Sequence, residues 1–165
     1  MFNVKNRQVE ERQEYKVQEA MHDFDLTATI QDDIVYLVDK SSGIRAINLK
    51  SKNIDFNVSI DKLGSFSLPF VNHDGIFIQD NINKFYAINK SDGSVRWKYD
   101  AGGYINPALT ETVGYLGCHD KCVYALDLNS GIVLWKHEVD SPIQTINIDN
   151  GYVFLGSEKY FYCLE

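Results

Sequence analysis

The chain has 165 residues, 44% hydrophobic and 24% charged, a composition that excludes the disordered class and a length suited to one sizeable core. Twenty-three acidic against sixteen basic side chains leave a net charge of -7, and with no basic stripe this excludes a nucleic-acid binder that grips phosphates. No apolar run approaches the roughly 18 residues that cross a bilayer, no apolar stretch follows Met1, and the odd count of three cysteines fits reduced thiols, so the expectation is a cytoplasmic protein with no membrane partner.

In chain order, residues 1–12 are polar, with Glu10, Glu11 and Arg12, and are expected to form a frayed tail or a short helix. Gln13-Glu14-Tyr15-Lys16-Val17 reads as a strand, and a second strand follows near Leu26 to Ile30. From there a repeat organises the chain. Arg45-Ala46-Ile47-Asn48, Tyr86-Ala87-Ile88-Asn89, Tyr124-Ala125-Leu126-Asp127 and Tyr162-Cys163-Leu164-Glu165 place a small residue at 46, 87, 125 and 163, at spacings of 41, 38 and 38. Ten residues after the first three stand Phe56, Trp97 and Trp135. Each period holds four short β-rich stretches divided by Gly, Asp, Asn and Ser; in the clearest copy they are residues 104–110, 113–118, 122–128 and 132–139, strands A to D.

Four strands in about 38 residues is the length of a propeller blade, a meander that buries its faces only against neighbouring blades. The expected fold is therefore an all-β propeller of about four four-stranded blades, one domain over residues 1–165. The last copy stops after strand C. The segment at Tyr15 resembles Val133-Leu134-Trp135-Lys136-His137, and Tyr15 to Ala28 spans 13 residues, as does Phe56 to Pro69. An N-terminal strand D would then complete the last blade and remove an exposed edge. The alternative is that two chains form one eight-bladed ring, each contributing half, so the chain is expected to be a monomer or a homodimer.

Residues 87–98 (Ala-Ile-Asn-Lys-Ser-Asp-Gly-Ser-Val-Arg-Trp-Lys) and 125–136 (Ala-Leu-Asp-Leu-Asn-Ser-Gly-Ile-Val-Leu-Trp-Lys) resemble the repeat of the pyrroloquinoline-quinone (PQQ) propeller family. The first copy departs from it: Lys52 and Asn53 stand near the expected Gly, and Phe56 replaces Trp. The resemblance implies a Trp-docking role for Tyr15, Phe56, Trp97 and Trp135, stapling blade to blade. The residues suggest it independently: Asn48, Asn89 and Asp127 suit Asx turns, Gly93 and Gly131 suit positive φ, and a small residue leaves room for a large ring. Quinone dehydrogenases of the family gather quinone and calcium ligands from more blades than this chain has, and the adjacent Cys-Cys pair found in several is absent, so no cofactor and no enzymatic activity are expected.

Cys118-His119-Asp120-Lys121-Cys122 is the strongest metal candidate, but zinc wants four ligands, and the segment reads as a hairpin tip; no metal is expected. His22, His73 and His137 are scattered, Gly102-Gly103 precedes no helix, and Asp80-Asn81-Ile82-Asn83 lacks the Gly and Glu of a calcium loop.

What remains is a binding protein. Loops joining D to A and B to C open on one face and hold Asp39, Asp61, Asp80, Asp100, Asp120, Asp140 and Glu158, with Asp23 and Asp25, against only Lys40, Lys62, Lys121 and Lys159. Such a rim would steer a basic protein partner, and the expected function is a non-catalytic protein-binding propeller, in its narrowest form an acidic inhibitor or immunity protein that neutralises a basic toxin or nuclease. A scaffold module of a larger assembly and a lectin-like binder of small ligands are the alternatives.

Overall fold

The computed structural model describes residues 2–3, 8–9, 26–39, 43–60, 68–80, 83–103 and 105–165. At the start β1 (Phe2–Asn3) pairs antiparallel with β2 (Gln8–Val9), a short ribbon where a frayed tail or helix was expected. Four antiparallel meanders follow. Blade one is β3 (Leu26–Gln31), β4 (Ile34–Asp39), β5 (Gly43–Asn48) and β6 (Ile54–Val58). Blade two is β7 (Phe70–Val71), β8 (Ile76–Gln79), β9 (Lys84–Ile88) and β10 (Val95–Asp100). Blade three is β11 (Ile105–Leu109), β12 (Val113–Cys118), β13 (Cys122–Asp127) and β14 (Val133–Glu138). Blade four has three strands among the described residues, β15 (Ile143–Asp149), β16 (Tyr152–Ser157) and β17 (Phe161–Leu164). The architecture is a small all-β propeller of four-stranded blades. Tyr15 and the N-terminal strand expected to complete blade four lie outside the described residues.

The turn between strands C and D sets the register of each blade. Asn48 Oδ1 accepts from the N–H groups of Lys50 and Ser51, both at 3.0 Å, and Asp127 Oδ1 accepts from Ser130 N at 2.7 Å. The turn then closes when Gly93 N donates to Asn89 O and Gly131 N to Asp127 O, both glycines at φ +74°. In the first copy Lys52 takes this place at φ +62° and donates to Asn48 O, which accounts for the missing glycine there. Each turn is followed by a bulged register that sets the small residue opposite the aromatic: Ala46 faces Phe56, Ala87 faces Trp97 and Ala125 faces Trp135.

Successive residues of the inner strands point to opposite neighbours, so Ile76-Phe77-Ile78 and Phe85-Tyr86-Ala87-Ile88 read as unbroken apolar runs. Ile76, Ile78, Tyr86 and Ile88 join Tyr36, Val38, Ile44 and Ala46 in a core between blades one and two. Phe77, Phe85 and Ala87 join Leu116, Tyr124 and Leu126 between blades two and three. Val123 and Val139 meet Ile143, Val153 and Leu155 between blades three and four. Strand D is the outer strand, and β14 is exposed along its length.

Candidate partner-binding rim

The B–C turns and D–A loops meet on one rim, where a chemical repeat recurs in three blades. Asp80 directly follows β8 and accepts from Lys84 N at 2.8 Å and from the Tyr86 hydroxyl at 2.7 Å. Asp120 follows β12 and accepts from Cys122 N at 3.0 Å and the Tyr124 hydroxyl at 2.6 Å. In blade four the Tyr162 hydroxyl lies 3.4 Å from Asp140 Oδ2 and accepts from Asp140 N at the same distance. All three tyrosines immediately precede the small residue of the repeat. Burial, then the hydrogen bond to the carboxylate, pushes the Tyr86 and Tyr124 phenols well above their ordinary range. In blade one Arg45 holds the equivalent place and donates from Nε to Asn57 Oδ1 at 3.3 Å.

These bonds divide the acidic residues into two groups. Asp80 is only 2% exposed, so its carboxylate ties the turn and faces no partner; this corrects its place among the partner-facing candidates. Asp120 is half-buried under Gly102, where an added Cβ would collide with its carboxylate, so the loop between blades two and three lies against the next B–C turn. Asp100, Asp140 and Glu158 are exposed; Lys84 Nζ stands 3.9 Å from Asp100, and Lys121 and Lys159 are exposed on the same rim. Asp39 ends β4, and its side chain is not among the described ones. Asp61 lies outside the described residues, as do Asp23, Asp25, Lys40 and Lys62.

The three thiols are free; Cys118 and Cys122 are buried and Cys163 is exposed. Burial, and next the nearby Asp120, push the Cys118 thiol up to about 12, so it stays protonated and inert at neutral pH. Among the described residues no group of three or more His, Cys, Asp or Glu side chains is arranged to hold a metal ion.

Away from the rim, the D-strand aromatics meet the neighbouring blade. A Cβ at Gly93 would stand 2.7 Å from Phe56 Cδ2, and one at Gly131 would stand 2.7 Å from Trp97 Cδ2. Trp97 Nε1 donates to Leu128 O at 3.1 Å, and Arg96 Nη2 to the same carbonyl at 2.9 Å. Trp135 differs. It packs on Tyr115 of its own blade, centroids 5.8 Å apart, and is 38% exposed, and the described residues include no C–D turn of blade four to cover it.

A family described as outer membrane protein assembly factor BamB matches residues 4–99. An uncharacterized protein of Methanocaldococcus jannaschii is 29% identical over 113 residues, covering 66% of this chain and 13% of that protein. Among solved structures, BamB from Moraxella catarrhalis superposes with a TM-score of 0.69 at 15% identity, over 87% of this chain and 44% of that one. The computationally designed Ika4 protein superposes with a TM-score of 0.68 at 11% identity, over 93% of this chain and 98% of that one. The chain thus spans less than half of the Moraxella chain and a small fraction of the archaeal protein. No described helix is long and apolar enough to cross a membrane.

Proposed function

The chain belongs to the BamB family of PQQ-type propellers, whose domains are non-catalytic and bind proteins, and from this premise we propose that it is a scaffold module that holds a basic protein segment on its B–C and D–A rim. Family membership also corrects the expectation of a cytoplasmic protein: the family is that of an outer-membrane assembly factor, with an outer-membrane and periplasmic setting. The narrower reading, an immunity protein against a toxin or nuclease, gains no support from this family, and the assembly scaffold replaces it.

The observation that carries the proposal is the division of the rim carboxylates. Asp80 and Asp120 brace the turns through Tyr86 and Tyr124, while Asp100, Asp140 and Glu158 stay exposed above them. Braced turns hold the outer charges at small conformational cost, which favours association steered by charge. The test is capture from an envelope extract by the wild type and by a variant with Asp100, Asp140 and Glu158 all changed to Lys. Basic proteins that the wild type retains at low salt and loses at high salt should be absent from the variant at every salt concentration. Equal capture by both proteins would remove the rim as the binding surface.

A further inference from the structure

The B–C hairpins of the first three blades close on the same rung, three residues before the small residue of the repeat, and fill it with different chemistry. In blade one Asp39 pairs with Gly43 there, and in blade two Asp80 N donates to Lys84 O at 2.9 Å. In blade three the register that pairs Gly117 with Val123 sets Cys118 opposite Cys122 on the next rung. The carboxylate that blade two carries on this rung has moved into the turn. Asp120 accepts from Cys122 N and the Tyr124 hydroxyl, as Asp80 accepts from Lys84 N and the Tyr86 hydroxyl. The turn is thus braced without the side chain of residue 118, and the rung is left to two thiols. Both belong to the core between blades two and three, with Phe77, Phe85 and Leu116, and are 0% and 4% exposed. Directly opposed residues of an antiparallel pair have Cα atoms about 4.5–5.5 Å apart, inside the window of about 4.4–6.8 Å that disulfides span. The thiol protons are held by weak bonds, from Cys118 Sγ to Leu116 O and from Cys122 Sγ to Asp120 O, both at 3.6 Å.

We propose that Cys118 and Cys122 are a modification site, which thiol–disulfide exchange converts into a bridge across the B–C hairpin of blade three. The structure shows its reduced form. The oxidant is an external disulfide, carried by a small molecule or by a thiol oxidoreductase. One cysteine thiolate attacks it and releases one of its sulfurs as a thiol; the other cysteine then attacks the mixed disulfide and releases the second. One S–S bond breaks and one forms, while two electrons and the two thiol protons pass to the oxidant. Inside the fold both sulfurs are buried and Cys118 stays protonated, so the exchange belongs to the unfolded chain, where both thiols are accessible and only three residues separate them. Folding then seals the bridge. A loop this short removes little entropy from the unfolded chain, so the effect is local: the tied strands fix the turn that carries Asp120. Cys163 is exposed on β17 of blade four and takes no part. The proposal stands apart from the rim reading, because it uses none of Asp100, Asp140 or Glu158.

The full chain tests it after unfolding in urea and refolding through mixtures of reduced and oxidised glutathione. Free thiols are then alkylated under denaturing conditions, and peptide masses are compared before and after reduction. The expected product carries its alkyl group on Cys163 and a link between Cys118 and Cys122, and has the circular dichroism spectrum of the reduced protein. Cys163→Ser removes the exposed thiol and with it any reshuffling through that residue, and it should form the same bridge. Dithiothreitol should open the bridge at least about 10-fold more slowly in the native protein than in urea, because a buried disulfide is reached only when the hairpin opens. Three alkylated cysteines at every glutathione ratio overturn the proposal. A bridge to Cys163, or a bridged chain without the native spectrum, does the same. Equal rates of reduction in the two states also overturn it, since they place the bridge outside the core.

Discussion

The indole of Trp97 rests on Gly131 of the next blade, so that a Cβ placed there would stand 2.7 Å from Cδ2 and 2.8 Å from Cγ. The glycine therefore serves two purposes, adopting φ +74° in its own turn and leaving room for its neighbour's ring.

Gly131→Ala should destabilise the protein by about 2–4 kcal/mol, combining left-handed strain with displacement of the indole. Gly93→Ala should behave alike, because Phe56 occupies the same place above it. Gly151 separates the two causes: it sits at φ +85° with nothing within 4 Å of an added Cβ, so Gly151→Ala should cost only about 1 kcal/mol. Urea midpoints of the three variants give the comparison, and equal losses would show that strain alone matters.

The two tryptophans hold the same place in the repeat but should differ in energetic weight. Trp97→Ala empties a site packed against Phe77 and Phe85, with centroids 6.1 and 6.0 Å away, and should cost about 3–5 kcal/mol. Trp135→Ala removes a ring that is 38% exposed, and should cost about 1 kcal/mol in the single chain. Differential scanning calorimetry at one pH and low protein concentration distinguishes them.

Stability should decline on the alkaline side. Cys118 is raised from 9.0 to about 12 in the folded protein, and the Tyr86 and Tyr124 phenols are raised above 10.0. A group with a raised folded pKa contributes stability that is fully present below its unfolded pKa and is lost as pH rises toward the folded value. Unfolding free energy should therefore hold level to about pH 9 as far as these groups are concerned, then fall through pH 12. Tyr124→Phe should make the fall above pH 10 shallower. An unchanged slope in that variant would mean that the phenol does not contribute to it.

Asn72 joins two blades from a buried position. Its Oδ1 accepts from Asp74 N at 2.9 Å and Gly75 N at 3.0 Å, and its Nδ2 donates to Glu111 O of blade three at 2.9 Å. Asn72→Ala should cost about 2–3 kcal/mol by leaving these groups unpaired. Asn72→Asp keeps the acceptor but faces Glu111 O with a carboxylate, so relative to wild type it should be less stable at neutral pH than near pH 4. Parallel denaturation at the two pH values tests the sign.

The blade repeat was legible in the sequence because it rests on local chemistry. Asx turns, positive-φ glycines and a small residue ten positions before an aromatic are read directly along the chain, and the observed strands of blade three differ from the expected ones by at most one residue at any end. The rim was read less well. An aspartate at a turn looks solvated in sequence, and only the fold reveals that Asp80 and Asp120 curl inward to meet Tyr86 and Tyr124. A signal was available in the tyrosine before the small residue at 86, 124 and 162, though its meaning depends on a bond across the hairpin.

Because each staple takes its ring from one blade and its glycine from the next, the stretch that could be copied without penalty is not a blade counted from strand A to strand D. It is the segment that begins just after Trp97, contains Gly131 and ends at Trp135. A gene duplication with those boundaries would insert a unit whose glycine receives the preceding indole and whose own indole waits for the glycine that follows. Such an array could change its number of blades in one genetic step, with every internal joint intact from the first generation.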